Sequence, residues 1–62
     1  MFTETEQKII ESFRGVNSKM AYKKLAEIYT KYTGVPVNGC GCKAQSRVPF
    51  LTMFYDWYEE VN

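Results

Sequence analysis

The chain has no histidine, only two cysteines, and no apolar run long enough for a membrane span. Each shortage removes a class of function. Without imidazole there is no serine–histidine or cysteine–histidine pair to make a nucleophile, and no histidine to hold a metal. Two cysteines cannot build the framework of four or more that stiffens small secreted domains. A membrane span needs roughly 20 predominantly apolar residues in succession. The opening MFTETEQKII carries acids where a secretory signal carries positive charge. The expectation is a soluble chain in a reducing, cytoplasmic compartment, neither secreted nor in a membrane. Net charge is only +1, so bulk electrostatics give no case for nucleic acid or membrane as partner.

What is present points to a packed core. Of the 62 residues, 45% are hydrophobic and 16% aromatic, against the low hydrophobicity that disorder requires. Residues 1–62 make one small helical domain, which at this size hides only about 60% of its unfolded surface. A disulfide, a metal or a second chain is the usual supplement. The charge is layered along the chain: residues 1–13 sum to −2, residues 14–47 to +6 and residues 48–62 to −3. Such an acid–base–acid order neutralises itself when helices pack against one another, or binds an anion through its middle.

Periodicity predicts an all-α fold of three helices with an ordered Gly/Cys loop between the second and third. Thr3 to Glu6 reads as a capping box, with Phe2 as a staple onto the same helix. Ile9, Ile10 and Phe13 form the first stripe, and Gly15 the stop. Asn17 or Ser18 caps the second helix. Ala21, Leu25, Ile28, Tyr29 and Tyr32 lie on one helical face there, and Gly34 and Pro36 end it. The third runs through PFLTMFYDWYEEV. Pro49 fits its first turn; a cap at Ser46, or a start near Cys42 with a bend at Pro49, are the alternatives. Phe50, Phe54, Trp57 and Val61 mark its inner face. No run alternates with period two, so strands are confined to minor pieces around Val35 and Val37.

The stretch VNGCGCKAQS offers four chemistries. Zinc needs four ligands, and Cys40 and Cys42 supply two, so the metal reading needs acids to complete the shell or a zinc-clamped homodimer sharing Cys₄ across a symmetry axis. A redox pair would have its thiolate favoured by Lys43 and a helix N-terminus, but such pairs normally use Cys-x-x-Cys after a strand. The glycines and Lys43 are a weak anion nest without the P-loop spacing. The favoured reading is a shaped turn, with the cysteines as small buried apolar groups and no cofactor.

Two surfaces remain. Lys19, Lys23, Lys24, Lys31, Lys43 and Arg47, interleaved with Tyr22, Tyr29 and Tyr32, could bind single-stranded nucleic acid by charge and stacking. The stronger signal lies in residues 48–61, where nine of fourteen side chains are apolar and spread around the helix axis. Aromatic and methionine side chains are enriched at interface centres. A partner-binding face of Met53, Tyr55, Trp57 and Tyr58 with Asp56 and Glu59 follows. A non-catalytic protein-binding module is therefore expected, a small subunit, adaptor or inhibitor within a larger assembly, viral ones included, or a homo-oligomer. Catalysis is not expected of so small a chain.

Overall fold

Three helices form where the periodicity places them: α1 Glu4–Ser12, α2 Lys19–Thr33 and α3 Ala44–Val61. The computed structural model describes residues 2–62, and no strand occurs among them. The capping box at α1 is complete. Thr3 Oγ1 accepts from the Glu6 N–H at 3.1 Å, and the Thr3 N–H donates to Glu6 Oε1 at 3.0 Å. Ser18 caps α2 by accepting from the Ala21 N–H at 3.1 Å. Gly34, at φ 74°, closes α2 in the left-handed conformation, and its N–H donates to the Thr30 carbonyl at 2.8 Å.

Two local expectations shift. The Phe2 ring, expected as a staple onto α1, packs on the other two helices. It is 7% exposed and meets the rings of Tyr32, Trp57 and Tyr58 at 4.8, 5.5 and 5.2 Å, so it joins α2 to α3. The helix α3 begins five residues before Pro49, at Ala44, with no side-chain cap from Lys43. Proline at this depth removes the donor for the Gln45 carbonyl and crowds it. Both residues lie on the exposed side of the helix, where water can satisfy that carbonyl. The early turn is held from elsewhere. Arg47, buried in it, donates from Nη1 to the Gly41 carbonyl at 2.7 Å and from Nε to Asn17 Oδ1 at 2.6 Å. Asn17, read as a possible cap for α2, instead ties the α1–α2 turn to α3, donating also to the Ala44 carbonyl at 3.1 Å.

The core forms where the helices converge, on Ile10, Leu25, Ile28, Phe54 and Tyr58 with Phe2. Phe50, Trp57, Tyr29 and Tyr32 pack around it as half-buried rings. Edge-to-face pairs such as Tyr29–Trp57, at 5.0 Å and 80°, add about 1 kcal/mol each beyond the area they bury.

A polar cross-link joins α1 to α2. Glu6 accepts from Lys31 Nζ at 2.8 Å and from the Tyr32 hydroxyl, while also serving its cap. The Lys31 hydrogen bond, then Tyr32 and then the Thr3 N–H hold the Glu6 carboxyl down at about 2. An acid whose folded pKa is depressed stabilises fully above its unfolded value, here 4.5, and loses that contribution as pH falls towards 2. The urea midpoint should therefore fall through that window. Glu6→Gln should lower the midpoint at neutral pH and flatten the acid limb; an acid limb of unchanged slope would contradict the cross-link.

Candidate functional site

The aromatic surplus of α3 is largely taken up by the chain itself. Tyr58 is 3% exposed and leaves no side-chain surface for a partner. Trp57 is half-buried against Tyr29 and Phe2. Tyr55 donates its hydroxyl to the Ile10 carbonyl at 2.7 Å, and the Arg14 guanidinium lies 4.8 Å from its ring centre. Burial pushes the Tyr55 phenol above its ordinary value. Glu59 is engaged too, accepting from Arg14 Nη2 at 2.7 Å, while Arg14 forks onto Glu11 at 2.8 and 3.1 Å. That fork lowers the Glu11 carboxyl below its usual range. Met53 is 38% exposed and Asp56 is exposed. Two residues apart on a helix lie about 160° apart around the axis, so Met53 and Tyr55 do not share one docking face. The expectation missed this because it counted apolar side chains on one helix. It could not see that Phe2 and the tyrosines of α2 reach the same helix from other sides.

A groove between the α1–α2 turn and α3 is one apolar surface that remains. Val16 of the turn faces Val48, Leu51 and Tyr55 of α3, with Thr52 and Asp56 along the edge, around an open hollow of about 330 Å³. Val16 and Val48 are 42% and 50% exposed. Ligand cavities of this volume are usually enclosed; an open hollow with a polar edge suits one or two side chains of another protein. Of the expected partner-binding residues, Tyr55 and Asp56 belong to it. The two valines went unread because they stand alone and 32 positions apart in the sequence.

The basic residues do not form one surface. Arg47 is only 9% exposed and committed to Gly41 and Asn17. Lys31 is paired with Glu6, and Lys43 stands at the N-cap of α3. Lys19, Lys23 and Lys24 surround Met20, 64% exposed, on the outer face of α2. Tyr22 cannot serve as a stacking platform: it is 6% exposed, and its hydroxyl donates to the Asn38 carbonyl at 3.1 Å.

The loop corrects a further expectation. Both cysteines are exposed, and they are joined to each other as a disulfide with Cα atoms 5.2 Å apart. Gly41 between them is the buried residue, its backbone laid against the Tyr22 ring. Free cysteine is usually buried; these are not free. As a staple the bond is weak: closing so short a loop is worth about 1.5 kcal/mol of chain entropy, against about 3 for a fifteen-residue loop. No three Cys, Asp or Glu side chains gather into a metal-binding group among the described residues. A zinc-clamped dimer would need both thiols reduced and a second chain.

No family model, curated protein or solved structure matches the chain.

Proposed function

We propose that this domain is a non-catalytic protein-binding module, a small subunit or adaptor whose groove between the α1–α2 turn and α3 seats a basic amphipathic helix of another protein. The observation that carries the reading is two exposed valines beside an acidic helix edge. Val16 and Val48 line the hollow with Leu51 and the Tyr55 ring. Asp56 at its edge and Glu60 one turn on form no ion pair among the described residues. An apolar anchor gains by leaving water, and its flanking lysines or arginines gain from the unpaired acids, which also orient the approach. The acids stand near the C-terminus of α3, where the helix dipole disfavours them by a few tenths of a kcal/mol each; a cationic partner relieves that cost.

Titration of isotope-labelled domain with a short Leu/Lys amphipathic peptide tests the reading. Amide shifts should gather at Val16, Val48, Leu51, Thr52 and Asp56, and a peptide with the same apolar face but glutamates for lysines should not bind. Val48→Asp should weaken binding about tenfold, equivalent to about 1.4 kcal/mol, with unchanged helicity. Shifts collected elsewhere, equal binding of the acidic peptide, or a groove occupied by a second copy in sizing experiments would overturn it. Retention on heparin that survives Val48→Asp and falls steeply with salt would favour the basic face of α2 and nucleic acid instead.

A further inference from the structure

We propose that Cys40 and Cys42 are a redox-active pair, exchanging two electrons with small thiols of the glutathione class while the domain stays folded. Three observations converge. Both residues are exposed and already joined across the single residue Gly41, so the bond lies in a loop that solvent thiols can approach. Cys42 precedes the first residue of α3 by two positions, and that helix start has neither a side-chain cap nor an acid in its first turn. Its N–H groups and Lys43 therefore present positive charge to Cys42, whereas Cys40 shares a hollow with Glu27 as well as Lys19 and Lys23. A Cys42 thiolate is stabilised there and leaves readily.

The third observation separates this pair from a structural staple. The loop is fastened to the helices without the sulfurs. The Gly41 carbonyl accepts from buried Arg47 at 2.7 Å, the Asn38 carbonyl accepts from Tyr22 at 3.1 Å, and the Gly41 backbone packs on the Tyr22 ring. Opening the disulfide leaves all three contacts in place.

The exchange is balanced as follows. A glutathione thiolate attacks Sγ of Cys40; the Cys40–Cys42 bond breaks and its electron pair leaves on Cys42 as thiolate. A second glutathione thiolate attacks the glutathione sulfur of the mixed disulfide, releasing Cys40 as thiolate and forming oxidised glutathione. The protons given up by the two glutathione thiols are available to the two cysteines. Run backwards, oxidised glutathione restores the pair.

The full chain is equilibrated without oxygen in graded ratios of reduced to oxidised glutathione, quenched in acid, alkylated and weighed intact. The pair should pass from joined to doubly alkylated within that range, with the helical circular dichroism and amide dispersion of the reduced chain retained. In the reduced chain, Cys42 should be alkylated at slightly acid pH about tenfold faster than Cys40, and Lys43→Glu should remove most of that difference. A pair that stays joined in excess reduced glutathione, stays open in excess oxidised glutathione, or unfolds the domain on opening would overturn the proposal. So would equal alkylation of the two cysteines.

Discussion

Phe54→Ala should remove about 4 kcal/mol of stability, a large share of what a domain of this size has. Phe54 is wholly buried, and its ring centre lies 6.0 Å from that of Phe50, 5.4 Å from Tyr55, 5.5 Å from Trp57 and 6.4 Å from Tyr58. Truncation therefore forfeits the burial of a whole ring and the contacts of four others. The cavity it leaves is walled by groups held elsewhere: Tyr55 by the Ile10 carbonyl, and Trp57 by Tyr29 and Phe2. Rigid walls collapse poorly into a void, which places the cost towards the upper part of the usual range for such deletions. A domain of 62 residues has a total stability of only about 3–9 kcal/mol. Urea titration followed by circular dichroism reads the loss directly, and the thermal midpoint should fall by roughly 15–30 °C. The neighbouring Met53→Ala is the control. Met53 is 38% exposed, so its replacement should change stability by less than about 1 kcal/mol. Were the two costs reversed, the face of α3 turned to the core would be wrong, and the groove of Val48 and Tyr55 would be wrong with it.

That same helix shows which features could be read from sequence. The capping box at Thr3 and Glu6, the stop at Gly34 and the stripe Ala21–Leu25–Ile28 were legible because each is chemistry within a few positions of the chain. The start of α3 was legible only as an alternative, a start near Cys42. The rule placing proline in a first turn is local, whereas Ala44–Val48 are held helical by Arg47 reaching Asn17 and Gly41, partners 30 and 6 positions away. Tyr22 was missed for a related reason. It stands at the margin of the apolar stripe of α2 and becomes buried because residues 38–41 fold back over it and Phe50 meets its ring. The groove combines both difficulties, since Val16 and Val48 mean nothing until a turn and a helix are brought side by side. The disulfide was legible only as an option: the sequence places two thiols one residue apart, and the turn at Gly41, φ 61°, brings them together.

Gly41→Ala is expected to cost about 3 kcal/mol, although it adds one methyl group to a loop. Part of this is conformational: at φ 61° an L-residue sits in the left-handed region at a penalty of about 1 kcal/mol. The larger part is contact. A Cβ there would fall 2.5, 2.7 and 2.9 Å from Cδ1, Cγ and Cε1 of Tyr22, ring atoms near the root of a buried side chain. The ring cannot move aside cheaply, because its hydroxyl is bound to Asn38 and its edge meets Phe50 at 5.2 Å. The loop must lift instead, and lifting pulls the Gly41 carbonyl from Arg47, leaving a buried cationic donor without its acceptor. Gly34→Ala isolates the conformational share: Gly34 has φ 74° and nothing within 4 Å of an added Cβ. The difference between the two variants, about 2 kcal/mol, should vanish in a Tyr22→Ala background if the ring causes it. Equal costs for Gly41→Ala and Gly34→Ala would mean that the loop does not rest on Tyr22. The fastening that lets the cysteine pair open without unfolding the domain would then have lost its main contact.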